Sequence, residues 1–143
     1  MSIHSVSGQI ERINTILPTT SASNTVYTLT SKQSGSIIFL DEDNFEDTSI
    51  IRLPKPDYGL NFKIINKTNG GSKTIYIKSY NSTQTLTDLI YKAKSLTNVT
   101  PPLISNTITI DFSNTDICDE VNIICDGTYW YANGIVLNTA GYN

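Results

Sequence analysis

The stretch that decides the fold is Cys125-Asp126-Gly127-Thr128-Tyr129-Trp130-Tyr131, which holds the only tryptophan and two of the eight tyrosines. An Asp-Gly pair between apolar residues is the strongest short-range signal for a two-residue β-hairpin, because a type I′ turn needs positive φ at both central positions. With Asp126-Gly127 as the turn, the predicted cross-strand pairs are Cys125 with Thr128, Ile124 with Tyr129, Ile123 with Trp130 and Asn122 with Tyr131.

This register divides the hairpin into two faces, because successive side chains of a strand point to opposite sides. The face predicted to belong to the core carries Val121, Ile123, Cys125 and Trp130. The opposite face carries Asn122, Ile124, Tyr129 and Tyr131. We expect that second face to be a subunit interface or a ligand-binding face, since tyrosine serves both purposes.

Further strands are predicted along the chain from alternating apolar and polar residues bounded by turn signals. They cover residues 25–30, 36–40, 49–53, 60–65, 73–78 and 107–112. The segments 60–65 and 73–78 flank Asn69-Gly70-Gly71 and are predicted to form a second hairpin. The alternation also predicts four core isoleucines: Ile75, Ile77, Ile108 and Ile110. Strands at this spacing indicate an all-β fold, an antiparallel, jelly-roll-like β-sandwich of about eight strands.

Two segments break this pattern. Leu86, Leu89, Ile90 and Ala93 have helical spacing and predict a short helical insert near residues 85–96.

Residues 1–24 are predicted to form an N-terminal arm ahead of a single sandwich domain at 25–143. Ile3, Val6, Ile10, Ile13 and Leu17 have heptad-like spacing, but the pattern is short and contains Gly8, so an extended arm is favoured over a helical bundle segment.

Composition excludes several classes of partner. The formal net charge is −3 and the ten lysines and arginines are scattered, so we expect no nucleic-acid binding. No apolar stretch approaches a membrane span and no secretory signal pattern opens the chain, so we expect cytosolic synthesis without membrane insertion. Cys118 and Cys125 are predicted to be free thiols.

Residues with catalytic or metal-binding chemistry are few. The acidic run 41–47 supplies four carboxylates that could ligate calcium, namely Asp41, Asp43, Glu46 and Asp47. It lacks the glycine and the terminal glutamate of an EF-hand loop, so a solvated loop is the favoured interpretation. His4 is the only histidine, which argues against histidine-based triads. A carboxylate-dependent glycan hydrolase, using residues such as Asp111, Asp116, Asp119 or Glu120, is the least favoured alternative. We expect neither a cofactor nor enzymatic activity.

Several short motifs, taken together, resemble a β-rich module of virion proteins in phages and large DNA viruses. They are Gly35 before an apolar strand, Leu53-Pro54, Gly59-Leu60-Asn61-Phe62 within a strand, and the closing Asp126-Gly127-Thr128-Tyr129-Trp130. The resemblance covers residues 25–137. It implies a jelly-roll-like sandwich, often trimeric, in capsid decoration, fibre or tail-associated proteins without enzymatic activity. The acidic loop and the helical insert depart from it.

These observations lead to one expected function and one main alternative. The expected function is a non-enzymatic virion structural protein, made in the host cytoplasm, that forms a homotrimer and contacts other virion proteins. The alternative is a glycan-binding attachment module that uses exposed tyrosines, among them Tyr58, Tyr76, Tyr80, Tyr129 and Tyr131.

Overall fold

The computed structural model describes residues 12–14, 26–80, 90–92 and 104–135. These residues form eleven strands: β1 (Arg12–Asn14), β2 (Val26–Thr28), β3 (Ser36–Leu40), β4 (Ile50–Arg52), β5 (Tyr58–Asn66), β6 (Thr74–Lys78), β7 (Ile90–Lys92), β8 (Ile104–Ser105), β9 (Thr107–Asp111), β10 (Glu120–Asp126) and β11 (Trp130–Ile135). Sheet A has the order β1-β3-β5-β10-β11-β7-β8 and sheet B the order β2-β4-β6-β9. The fold is therefore mostly β, in two sheets.

The first six strands alternate between the sheets and form a parallel coil. Strands β1, β3 and β5 are parallel neighbours in sheet A, and β2, β4 and β6 are parallel neighbours in sheet B. Arg12 pairs with Ser36 and Ser36 with Phe62, at spacings of 24 and 26 residues. Val26, Ile50 and Tyr76 repeat the same two spacings in sheet B. Each turn of the coil thus adds one strand to each sheet, as in a solenoid.

The later strands pair mainly in antiparallel fashion. Strand β9 pairs with β6, and β10 lies between β5 and β11, all in antiparallel orientation. Strand β8 passes into β9 with only Asn106 between them, so the chain moves from sheet A to sheet B within one residue.

Two predictions about strand pairing are therefore wrong. The sheets are mixed rather than antiparallel, because five of the nine described pairings are parallel. The segments around β5 and β6 do not form a hairpin, since β5 belongs to sheet A and β6 to sheet B. The connection 67–73 that contains Asn69-Gly70-Gly71 is a corner between layers rather than a tight turn within one sheet.

The predicted helical insert also differs from the structure. Ile90–Lys92 is strand β7, which pairs in parallel with β11 through Trp130–Ala132. A β-branched and an aromatic residue beside an available strand favour extended structure over local helical periodicity. The remainder of 85–96 lies outside the described residues, as does the N-terminal arm apart from β1. No helix in the described ranges is long and apolar enough to cross a membrane.

The core lies between the two sheets. All eight predicted core residues are buried: Val121, Ile123, Cys125, Trp130, Ile75, Ile77, Ile108 and Ile110. Trp130 packs beside Phe62 with ring centroids 6.2 Å apart, which joins the closing hairpin to β5 of sheet A. Since each buried aliphatic or aromatic side chain contributes about 1.5–3 kcal/mol, this core is the main source of stability.

Three corners, at residues 41–49, 67–73 and 112–119, meet at one end of the molecule. Lys67 N donates to Leu40 O at 2.7 Å, and Gly71 N donates to Phe112 O at 2.9 Å. Glu42 lies buried among them, and its Oε1 accepts from Ser72 N at 2.7 Å and Lys73 N at 3.0 Å. These bonds satisfy main-chain donors that the change of sheet would otherwise leave unpaired. We call this end the corner end and the opposite end, with the closing hairpin, the hairpin end.

Candidate functional site

The closing hairpin has a different register from the predicted one. Cys125 pairs with Trp130, Ile124 with Tyr131 and Ile123 with Ala132. Asp126 N donates to Tyr129 O at 3.1 Å, so the two central turn residues are Gly127 and Thr128. Gly127 takes the positive φ, 100°, at the first central position, as a type II′ turn requires. The register is displaced by two residues, and because two is even, every side chain keeps its predicted face.

Asp126 holds the turn in this register. Its Oδ1 accepts from Thr128 N and Tyr129 N, both at 2.8 Å, and its Oδ2 accepts from Tyr131 Oη at 2.8 Å. The bonds from the Tyr129 and Thr128 amides, followed by the Tyr131 hydroxyl, lower the pKa of Asp126 below its usual 3.8. A carboxylate with these donors is charged at neutral pH and fixed in orientation.

Tyr58 lies directly beside this turn. It is the register partner of Asp126 across β5 and β10, next to an irregularity between Ile124 and Asp126. Its side chain is 84% exposed, while its N–H donates to Asp57 Oδ1 at 2.8 Å. A Cβ on Gly127 would contact the Tyr58 backbone at 3.6 Å, so the turn and the start of β5 are in close approach.

The outer face of sheet A carries three rows of side chains across the strands. The register gives the rows Phe39–Ile65–Glu120–Ile135, Ile37–Lys63–Asn122–Asn133 and Asn61–Ile124–Tyr131. The predicted face residues Asn122, Ile124 and Tyr131 all lie here, and Tyr129 is half-buried at the turn. Ile124 is 50% exposed and Ile135 75% exposed. Six of these eleven side chains are apolar or aromatic, and the other five include the pair Lys63–Glu120 (Nζ to Oε2, 3.7 Å).

The outer face of sheet B is more polar. Its outward side chains are Val26 and Thr28 on β2, Ile50 and Arg52 on β4, Thr74, Tyr76 and Lys78 on β6, and Thr107, Thr109 and Asp111 on β9. Lys78 Nζ lies 5.5 Å from the Tyr76 ring centroid. Three of these ten side chains, Val26, Ile50 and Tyr76, are apolar or aromatic, compared with six of eleven on sheet A.

Two of the four acidic candidates for calcium, Asp41 and Asp47, use their carboxylates in bonds within the fold. Asp41 accepts from Lys67 Nζ and from Asp43 N, both at 3.3 Å, and Asp47 accepts from Thr74 N at 2.8 Å. Glu46 lies in the same corner, and its main-chain oxygen accepts from Ser49 Oγ at 2.7 Å. Within the described ranges, no three His, Cys, Asp or Glu side chains form a group that could hold a metal ion.

The carboxylates of the hydrolase alternative also bind within the fold. Asp111 accepts from Ser113 Oγ at 2.6 Å and Asn114 Nδ2 at 2.9 Å, and the serine hydroxyl bond is the main cause of its lowered pKa. Asp119 is buried and accepts from Asp116 N at 3.0 Å. Glu120 binds Asn122 and Lys63. These contacts give Asp111, Asp119 and Glu120 a role in holding a corner or the sheet.

Sequence reasoning missed Asp126 as a site residue, and it named Tyr58 only among the exposed tyrosines of the glycan-binding alternative, without its place beside the turn. The signal for Asp126 was present, since an aspartate before a turn accepts bonds from the following amides. Tyr58 carried no comparable signal, because its position depends on pairing with a strand more than sixty residues later. Comparison of the chain with protein-family models, with curated proteins and with solved structures gave no match.

Proposed function

We propose that this chain is a non-enzymatic structural module that self-associates through the outer face of sheet A. The observation that carries the proposal is the larger share of apolar and aromatic side chains on the outer face of sheet A than on the outer face of sheet B. Apolar side chains left in water add nothing to the stability of an isolated chain, whereas contact with a second copy would remove them from water.

The occupant we propose for this face is a second copy of the chain. Lys63 and Glu120 place one cation and one anion within the same apolar face. A face with both signs can pair with copies of itself, because a threefold axis can bring the positive group of one copy near the negative group of the next. The apolar side chains around the pair would then supply the dry part of the interface.

The setting we propose is a virion, with the protein as a capsid decoration or fibre component in homotrimeric form. The sequence resemblance supports this setting. Of the two locations, the coil of β1 to β6 favours the fibre, since stacked coils extend along one axis. From the jelly-roll expectation we keep only the two packed β layers. Greek-key pairing is not part of the proposal, because the first six strands have parallel neighbours instead.

Light scattering on the purified chain tests the assembly. We expect a mass of three times the 15.8 kDa chain. Ile124→Asp and Ile135→Asp should each convert the assembly to monomer, because they bury a carboxylate in an apolar contact. Ile117→Asp is the matched control, since Ile117 is 56% exposed in a corner away from this face. A monomeric wild-type protein, or an equal effect of all three substitutions, would overturn the proposal.

Mass spectrometry of purified virus particles from infected cells that express the chain tests the setting. We expect the chain to co-purify with particles in a fixed ratio to other particle proteins. Its removal by a salt wash that leaves the particle proteins in place would contradict a structural role.

A further inference from the structure

We propose that the hairpin end of sheet A contains a binding site for an uncharged glycan, centred on Tyr58 and Asp126. The site comprises Asp57, Tyr58 and Asp126, which we call the tyrosine patch. The register places Tyr58 beside Asp126, and Asp57 directly precedes Tyr58 in the chain. This proposal does not rest on self-association of the chain.

The Tyr58 ring supplies the platform of the site. It is the most exposed of the large apolar and aromatic side chains in the described ranges, at 84%. Its backbone is nevertheless held by strand pairing with Asp126 and by the Asp57 carboxylate. An aromatic ring on a fixed backbone offers a flat face to the C–H groups of a pyranose at small cost in conformational entropy.

The groups around the ring are hydrogen-bond acceptors that suit sugar hydroxyls. Asp126 accepts bonds from Thr128, Tyr129 and Tyr131, which fix its carboxylate in orientation, and Asp57 Oδ1 accepts from Tyr58 N. Preorganised polar groups beside an aromatic surface are typical of small-ligand sites.

The charge of the patch selects the class of glycan. Two exposed carboxylates, Asp57 and Asp126, flank Tyr58, and Lys55 is the single basic residue in the connection 53–57. Like charges repel, so sialylated or sulfated glycans are disfavoured relative to neutral ones. The expected ligands are therefore neutral hexose-containing oligosaccharides.

A glycan array probed with the fluorescently labelled full chain tests the site. We expect binding to neutral oligosaccharides, at least tenfold weaker after Tyr58→Ala (about one decade in Kd) and retained after Tyr58→Phe, which keeps the ring. Tyr80→Ala is the matched control, because Tyr80 is 51% exposed and follows β6 of sheet B. Asp126→Asn should weaken binding, because it replaces a charged acceptor.

Each outcome decides the proposal. Absence of binding to every glycan on the array overturns it, as do a preference for acidic glycans and unchanged binding by the Tyr58→Ala variant. Light scattering on the same Tyr58 variants separates this result from self-association: loss of glycan binding at unchanged mass supports the site by itself.

Discussion

Thr48 and Cys118 lie seventy residues apart and occupy the same position in two similar corners, each with a left-handed backbone, at φ of 65° and 73°. Each corner begins with an aspartate that caps a 3-10 turn, and each then enters a strand two residues after the left-handed position. One corner takes the chain from sheet A to sheet B and the other returns it from B to A. A residue with left-handed backbone is therefore a shared feature of these two corners, in which the chain passes from one sheet to the other.

The left-handed position gives a prediction about stability. Cys118→Gly should raise the free energy of unfolding by about 0.5–1 kcal/mol. The reason is that left-handed strain of about 1–2 kcal/mol exceeds the extra entropy cost of glycine, about 0.5–1 kcal/mol. The Cys118 side chain is exposed, so little packing is lost. Cys118→Val should lower the same quantity in urea unfolding followed by circular dichroism. A glycine variant less stable than wild type would refute the strain argument.

Gly71 gives a second prediction, because a Cβ there would overlap the Glu42 carboxylate and lie 2.8 Å from Phe112 Cβ. Gly71→Ala should destabilise the protein by about 2–3 kcal/mol, from overpacking and loss of the bonds to Ser72 and Lys73. In a Glu42→Ala background, Gly71→Ala should lower the free energy of unfolding by clearly less. A double-mutant cycle measures the difference between the two losses. Additive effects would show that Glu42 is not the obstacle.

A matched pair of isoleucines tests the assignment of the core. Ile110 is fully buried and Ile117 is 56% exposed, seven residues later. Ile110→Ala should lower the free energy of unfolding by about 2–5 kcal/mol, whereas Ile117→Ala should change it by no more than about 0.5 kcal/mol. Chemical denaturation of the two variants under identical conditions provides the comparison. Equal losses of unfolding free energy in the two variants would contradict the assignment of Ile117 to the surface.

Asp126 gives a prediction about pH. Its pKa is lowered in the folded chain from 3.8, so its contribution to stability is complete above pH 3.8 and is lost as the pH falls through the lowered value. An NMR titration of the Asp126 carboxyl should find its midpoint below 3.8 in wild type and nearer 3.8 in Tyr131→Phe, which lacks one donor. The same midpoint in both proteins would exclude a contribution from the tyrosine hydroxyl.

The strand positions and the core could be predicted from the sequence because they depend on local alternation. Ile75, Ile77, Ile108 and Ile110 are all buried, and the hairpin faces were correct despite the wrong register, since a displacement by two residues preserves the face. The turn itself was displaced because Asp126 uses its side chain to accept amide bonds, which moves the central position to Gly127-Thr128.

The order of the strands within each sheet could not be predicted in this way. In the coil of β1 to β6, parallel pairing joins residues 24 or 26 positions apart, such as Ser36 and Phe62, and alternation within either strand carries no information about its partner. The two layer-changing corners share only Asp41/Asp111 and Asn44/Asn114 as identical residues, a pattern too short to recognise beforehand. The arrangement of the tyrosine patch was beyond prediction for the same reason, because it assembles from the start of β5 and the end of β10.

The parallel coil gives this protein a fixed increment of length. Neighbouring strands are about 4.8 Å apart, so each additional 24–26 residues inserted as a complete turn would lengthen both layers together by that amount. Such an insertion leaves the inward and outward alternation of every existing strand unchanged. Chains built in this manner can differ in the length of their two sheets by whole turns of the coil, while the closing hairpin stays the same.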